Sequence, residues 1–234
     1  LEFRRVLFRI SNPQTLRMLA EAVGPEKWPD SLAETYALAC EKLAEEPNKR
    51  HRDARRDNAV ATAAVLEAAG HVFAVQLLAG IAGFARDPAC TDAAHPAFEA
   101  IGLSLSPALK QALTSRLFES GGQEERREPA HRSIAEFLGA YFLAHRIDRS
   151  GLPLGRVVAL MTAEDGGVVA DLRGLHAWLA VHSLATRPGC MARDPLGVVL
   201  YGDLHGFSTQ DKQRLLSALG QEAKRYPMFR SQNW

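Results

Sequence analysis

Apolar residues recur with helical spacing along most of the chain, which predicts a mainly α-helical protein. A first helix is expected to start at Pro13, because proline at the first helical position loses no intrahelical hydrogen bond. A second helix is expected after Ser31, which has the spacing of a capping box with Glu34. Residues 57–78 are mostly Ala, Val and Leu, interrupted by Gly70, and predict one or two buried helices.

The middle of the chain combines helical and hairpin patterns. Residues 80–106 are rich in Gly, Pro, Ala and Asp and predict a loop with short pieces of structure. Ser133 and Glu136 have capping-box spacing and precede an apolar stripe, so a helix is predicted there that reaches Ile147. Before it come a helix, a strand, a turn and a returning strand, at 106–116, 117–119, 120–123 and 128–131. This order predicts a winged-helix domain with a small β-hairpin wing over residues 51–150.

The last part of the chain is helical again. Short helices joined by short links are predicted at 154–161, 171–183, 187–193, 195–201 and 209–226. Such a succession is typical of an α-solenoid, so residues 151–234 are interpreted as a solenoid-like helical array. No fixed period emerges, and the array is therefore not assigned to a repeat class.

Composition narrows the class of protein. The 234 residues are 47% hydrophobic and 24% charged, as in an ordinary globular protein. With 28 basic and 27 acidic side chains, the formal net charge of +1 gives no general attraction to nucleic acid or to a membrane surface. The three cysteines are widely spaced, without a CxxC pair, and favour a reducing, cytoplasmic location. No uninterrupted apolar run reaches the roughly 20 residues that span a bilayer, so no membrane is expected.

The two ends of the sequence suggest a fragment. Residues 1–10, LEFRRVLFRI, resemble translated sequencing-adapter DNA, although a short amphipathic strand is the alternative interpretation. The final residues, MFRSQNW, include neither a helix cap nor a polar tail. We therefore expect residues 1–10 to be a non-native leader and the chain to be part of a longer protein.

Motifs of autonomous catalysis are missing from the sequence. It contains no GxxxxGK[ST] phosphate loop, no HExxH zinc motif and no GxSxG nucleophile elbow. His176 and His182 lack an acidic partner at metal-ligand spacing and are interpreted as packed or surface histidines. Glu164 and Asp165, before two glycines, are interpreted as a solvated loop. No catalytic residue and no metal site are predicted, so an autonomous enzyme is not expected.

His131 is distinguished by its position at the end of the predicted wing. A helix N-terminus follows it, and the backbone N–H groups of a first helical turn, with Arg132 beside them, are suited to binding phosphate. The alternative is that His131 only braces the wing against that helix, because many helix N-termini bind nothing.

Two segments resemble motifs of NACHT-type signal-transduction NTPases. Residues 129–144, PAHRSIAEFLGAYFLA, resemble the H-[RK]-[ST]-x-x-E-[FY]-L-A-A-x-x-L-A run of that family's winged-helix domain. Residues 12–19, NPQTLRML, are similar to the N-P-[LF]-x-L-x-x-L segment that opens the helical domain after the NTPase core. The chain departs from the first motif at Ile134-Ala135, where Phe-Gln is common, and at Gly139, which replaces alanine.

The resemblance implies a nucleotide-dependent switch. Pro13 would pack near the adenine, and His131 would reach the β-phosphate of bound ADP. It also implies a P-loop NTPase domain upstream in cis that binds ATP or ADP with Mg²⁺, homo-oligomers on activation, an unknown protein trigger, and a role in bacterial defence or signalling. On this interpretation residues 11–50 are the remnant of the helical domain after the NTPase core.

Two other classes remain open. The chain could be a helical scaffold that binds a protein partner without nucleotide, through residues 151–234. Alternatively, it could be a DNA-binding winged helix whose recognition helix is 106–116. That helix contains only Lys110 and Arg116 as basic residues, although Arg126 and Arg127 add to the wing. Because DNA binding usually needs several phosphate contacts, nucleic acid is not an expected partner.

Overall fold

A computed structural model describes residues 29–45 and 60–225 of the chain. Helices contain 63% of these residues, and a small three-stranded antiparallel sheet accompanies them, so the prediction of a mainly helical protein is confirmed. The chain divides between Phe142 and Leu143 into two compact units. Pro13 and the other residues predicted to form the first helix lie outside the described ranges.

Two helices of the first unit begin at serine caps. The Ser31 hydroxyl accepts a hydrogen bond from the backbone N–H of Glu34 at 3.0 Å, and the Ser106 hydroxyl accepts one from Leu109 at 3.2 Å. Both caps satisfy backbone donors that have no partner inside a helix. The helices with residues in this unit are α1 (Leu32–Ala44), α2 (Thr62–Ala79), α3 (Pro107–Thr114) and α4 (Arg132–Ser150), whose C-terminal part belongs to the second unit.

The sheet of the first unit has the strand order β1–β3–β2. Its strands are β1 (Phe84–Ala85), β2 (Phe118–Ser120) and β3 (Arg126–Pro129). Phe84 lies opposite Arg127, and Glu119 lies opposite Glu128. The segment between β1 and α3 contains two 3-10 turns, Pro88–Cys90 and Phe98–Ile101, in agreement with the prediction of a loop with short pieces of structure.

Helix α2 forms the centre of the first unit. Phe73 has no exposed surface, and its ring stacks on that of Phe118 with centroids 4.6 Å apart. Gly70 lies at a close approach of α2 to α4, since a Cβ atom there would lie 2.6 Å from the carbonyl oxygen of Leu138. A side chain at this position would therefore push the two helices apart.

By length and composition alone, α2 could cross a membrane, and it is the one helix of the described ranges that passes this test. Its buried residues instead pack within the first unit. Val65 and Phe73 have no exposed surface, and Val72 is 1% exposed. Gln76 is also buried and donates from its side-chain amide to the carbonyl oxygen of Ala82 at 2.8 Å. These residues of α2 belong to the core of the first unit.

The second unit consists of short helices, as its sequence predicts. They are α5 (Leu154–Leu160), α6 (Arg173–His182), α7 (Arg187–Arg193), α8 (Pro195–Tyr201) and α9 (Thr209–Arg225). A 3-10 turn, Ala170–Leu172, leads into α6. The bounds predicted for α7 and α8 match those observed.

Asp194 connects α6 and α8 of the second unit. Its carboxylate caps α8 by accepting from the backbone N–H of Gly197 at 2.8 Å. The same carboxylate receives two hydrogen bonds from the Arg173 guanidinium of α6, at 2.7 and 2.8 Å. Partial burial acts to raise the pKa of the Asp194 carboxyl, but these bonds outweigh it and hold the pKa below its usual value. Asp194 is therefore charged in its nearly buried position.

Arg187 links the end of α6 to the start of α9. Its guanidinium donates to the carbonyl oxygens of Ala180 and Val181, which belong to the last turn of α6. It also pairs with Asp211 at 3.3 Å and lies over the Phe207 ring, 4.2 Å from its centroid. Because each of the three guanidinium nitrogens has an acceptor, Arg187 is accommodated although it is buried.

Candidate functional site

His131 lies at the junction between the hairpin and α4. The residue before it, Ala130, still continues the sheet pairing by donating to the carbonyl oxygen of Leu117 at 3.0 Å. The carbonyl oxygen of His131 accepts from the N–H groups of Ile134 and Ala135, at 3.1 and 3.2 Å. His131 therefore occupies the N-cap position, and the long helix α4 begins directly after it.

The His131 side chain is half-buried. Its ring makes no hydrogen bond to any residue in the ranges 29–45 and 60–225, so its nitrogens are open to other donors and acceptors there. The first N–H groups of α4 follow directly in the chain, and a helix N-terminus favours an anion. An imidazole and a helix N-terminus are thus adjacent, a combination suited to a phosphate group.

The predicted capping box of Ser133 and Glu136 is wrong. Ser133 is the second residue of α4 rather than its cap, and its hydroxyl oxygen is buried without a hydrogen-bond partner among the described residues. Glu136 instead binds the Nε atom of Arg132 at 3.0 Å. The helix begins two residues earlier than predicted because His131 already accepts the first helical hydrogen bonds.

Glu136 changes the charge near the helix start. Burial raises the pKa of its carboxyl above the usual value, although the hydrogen bond from Arg132 acts in the opposite direction. Arg132 was proposed as a phosphate ligand beside His131, and its guanidinium is already engaged by this carboxylate. His131 and the helix N-terminus are therefore the groups of this junction that best suit an anion.

Most of the basic side chains considered for DNA binding are engaged within the protein. Arg116 donates to the carbonyl oxygen of Lys42 at 3.1 Å, and Arg126 pairs with Asp92 at 2.9 Å. Arg127 donates to the backbone of the wing itself. Three of the four basic residues considered above thus have acceptors inside the first unit. Few basic side chains of this region are therefore available to contact DNA phosphates.

A charged cluster between the loop after β1 and strand β3 is the group that the sequence patterns did not indicate. His95 is 7% exposed and lies between the carboxylates of Asp92 and Glu128. Its local sequence, TDAAHP, places an aspartate three residues before the histidine, a signal of a side-chain-capped turn. Glu128 comes from β3, 33 residues later in the chain, and no local pattern points to it.

The two histidines of α6 show no ligand geometry. His176 is 1% exposed, and neither of its ring nitrogens has a hydrogen-bond partner in the described part of the chain. The His182 ring stacks on that of Trp178, with centroids 5.9 Å apart. Among residues 29–45 and 60–225, no three His, Cys, Asp or Glu side chains come together in a way that could hold a metal ion.

A surface groove of about 470 Å³ lies between α7 and α9 in the second unit. Ala192 lines one side, and the other side is formed by polar and charged residues of α9, among them Gln213, Ser217 and Gln221. The groove lacks an aromatic wall or a buried ionisable group, so its chemistry does not indicate a particular ligand.

Comparison with known proteins assigns neither a family nor a function to the chain. The chain matches no protein family, and no curated protein or solved structure is significantly similar to it.

Proposed function

We propose that this chain is the regulatory part of a nucleotide-dependent signal-transduction switch of the NACHT type. The observation that carries the proposal is the position of His131, at the junction between the hairpin and α4, with a half-buried ring and a helix N-terminus beside it. In the family that the sequence resembles, the corresponding histidine reaches the β-phosphate of ADP.

The winged-helix assignment is supported by the order of elements around His131. Helix α2 precedes β1, the 3-10 turn Phe98–Ile101 and α3 follow, and the hairpin of β2 and β3 leads into α4. The sheet order β1–β3–β2 places the first strand against β3, on the outer side of the hairpin. The departure from the family motif at Ile134 and Ala135 is compatible with this packing, because both side chains are completely buried.

On this proposal the chain controls the switch through one contact. His131 donates a ring N–H to the β-phosphate of ADP held by an upstream NTPase domain, with Mg²⁺ supplied at that domain, and thereby stabilises a closed state. Pro13 packs near the adenine. When ATP is bound, the His131 contact is absent. The winged helix is then free to move and to expose the surfaces through which homo-oligomers form. The switch requires only that the two conformations bind the two nucleotides with different affinity.

The first test is the reading frame upstream of Ser11. We expect an in-frame GxxxxGK[ST] about 200–300 residues before it, because the proposed contact needs a phosphate-binding loop that this chain does not contain. A stop codon or an unrelated domain in that place would remove the nucleotide from the proposal.

The second test uses the intact protein and measures how much ADP co-purifies with it. His131→Ala should lower ADP retention about tenfold or more, the effect of losing one charge-assisted hydrogen bond. His205→Ala, at an exposed histidine of the second unit, is the matched control and should leave ADP retention unchanged. Equal ADP content in wild type and His131→Ala would exclude the histidine from nucleotide binding.

A helical scaffold for a protein partner is the second candidate, and exposed apolar residues in the second unit favour it. Leu184 is 75% exposed and Leu216 is 68% exposed, and α-solenoids commonly bind partners through such surfaces. Leu184→Ser and Leu216→Ser should then abolish binding of a partner that His131→Ala leaves bound. The opposite result, with partner binding lost only in His131→Ala, would favour the switch.

A further inference from the structure

One face of α9 lies open to solvent along its length. The residues of α9 that line the groove beside α7 stand at positions 210, 213, 214, 217, 218, 221, 222 and 225. They recur every three or four positions, which is the spacing of a single helix face. Six of them are exposed, and the other two, Ala218 and Glu222, are half-buried. We call these eight residues the open face of α9.

The rest of α9 is also sparsely packed. Leu215, at 3% exposed, is the one buried residue among the 17 of this helix. Helix α7, on the other side of the groove, has seven residues and is about 10 Å long, whereas α9 is about 25 Å long. Helices in proteins are stabilised mainly by packing a face against a neighbour. The open face is therefore available for a further helix to pack against α9.

The composition of the open face favours a polar helix as its partner. The face contains three glutamines, two arginines, one glutamate, one serine and one alanine. An apolar partner would bury these amides and charges without hydrogen-bond partners, whereas a helix of similar polarity supplies both donors and acceptors. Ser217 and Ala218, the two small side chains, occupy the middle of the face, and small side chains at the contact let two helices approach closely.

The positions of the open face are symmetric about its centre. Three pairs of residues are equally distant from the point between Ser217 and Ala218, namely Gln210 with Arg225, Gln213 with Glu222, and Arg214 with Gln221. A two-fold axis through this point, perpendicular to the helix, would therefore place the open face of one α9 against the open face of a second, antiparallel α9. Such a contact is isologous, the form that closed homodimers use.

The charges of the open face distinguish the two orientations of such a pair. In the antiparallel pair, Arg214 lies opposite Gln221 of the second copy and one position from its Glu222, and the symmetry repeats this attraction. A parallel pair would instead set Arg214 and Glu222 each beside its own copy, and like charges repel. Within one chain, Arg214 pairs with Asp211 at 3.8 Å and Arg225 with Glu222 at 4.0 Å. Surface pairs of this kind contribute little, so both side chains can turn to a second copy.

We propose that the open face of α9 is a homodimer interface, on which α9 of a second copy of this chain packs antiparallel with the two-fold axis between Ser217 and Ala218. Two helices about 25 Å long bury less than the roughly 1,200 Å² of a standard interface, so the dimer is weak and reversible. The interface is separate from the proposed nucleotide switch, since it requires neither His131 nor a nucleotide, and its absence would leave that switch untouched.

Sedimentation velocity of this chain between about 1 µM and 1 mM tests the proposal, because weak association falls in this range. The buffer is low in salt, since salt screens exposed ion pairs. We expect wild type to change from monomer to dimer as its concentration rises. Arg214→Glu should weaken the dimer about tenfold or more, because the symmetry turns two attractive contacts into two repulsive ones. Lys212→Glu makes the same charge change at an exposed position of α9 outside the open face and should dimerise like wild type.

The double variant Arg214→Glu with Glu222→Arg is the decisive one. It exchanges the two charges and restores the antiparallel pairs, so it should recover most of the dimerisation that Arg214→Glu loses. This recovery would also show that the loss in Arg214→Glu does not come from misfolding. A wild-type chain that stays monomeric at the highest concentration would overturn the proposal and leave a helix of a different protein as the occupant of the face. A dimer that Arg214→Glu leaves unchanged, or that the double variant does not restore, would overturn it as well.

Discussion

His176 should make the second unit sensitive to mild acid. Burial lowers the pKa of its imidazole from 6.5 to about 4; Asp194 opposes this shift, and Arg193 and Arg173 add to it. The folded chain therefore keeps the ring neutral at a pH where the unfolded chain protonates it. Stability from this residue is fully present above about pH 6.5 and is lost as the pH falls toward 4.

The magnitude follows from the size of the shift. One pKa unit corresponds to about 1.4 kcal/mol, so the full effect of His176 is about 3 kcal/mol. Lowering the pH from 7 to 5 crosses most of this window and should cost about 2 kcal/mol of unfolding free energy. Asp194 and Asp211 do not contribute in that range, because their pKa values are lowered and their stabilisation is lost only at pH below the unfolded value of about 3.9.

Urea unfolding at pH 7 and pH 5 measures the effect. Trp178 reports on α6 if Trp28 and Trp234 are replaced by phenylalanine, since the chain contains three tryptophans. His176→Phe and His176→Leu remove the titrating ring from its buried site, and either variant should reduce the difference between pH 7 and pH 5 to less than about 0.5 kcal/mol. His205→Ala, at an exposed position, should retain the wild-type difference.

A wild-type unfolding free energy that is the same at pH 7 and pH 5 would show that the folded chain does not keep His176 neutral. A pH dependence that persists unchanged in both His176 variants would also refute the prediction, because another group would then be responsible.

The remaining predictions concern close-packed glycines. Gly70→Ala should destabilise the first unit by about 1–3 kcal/mol in thermal unfolding, because the new Cβ atom meets the Leu138 carbonyl oxygen; unchanged stability would mean that α2 and α4 separate freely. Gly197→Ala should destabilise the second unit by a similar amount, since its Cβ atom collides with the Asp194 carboxylate. Gly189→Ala is the helical control, because a Cβ atom there has nothing within 4 Å, and it should stabilise the chain by about 0.5–1 kcal/mol. Equal destabilisation by Gly189→Ala and Gly197→Ala would contradict the steric explanation.

The sequence by itself determined the helices found within residues 29–45 and 60–225, because their signals are local. Ser31 caps the helix that its spacing to Glu34 predicts, and Ser106 and Asp194 cap the helices predicted at 106–116 and 195–201. The position of the hairpin between α3 and α4 followed in the same way from apolar periodicity and turn residues. Local patterns failed at Ser133, where hydrogen bonding to His131 starts the helix earlier than the side-chain signal suggests.

Tertiary structure alone decided which distant residues meet. His95 and Glu128 are 33 positions apart, and pairing of β1 with β3 is what brings their side chains together. Gly70 and Arg187 look ordinary in the sequence, and their roles depend on a neighbouring helix backbone and on the carbonyl groups at the end of α6. Such contacts depend on the packing of elements far apart in the chain, and short-range periodicity contains no information about that packing.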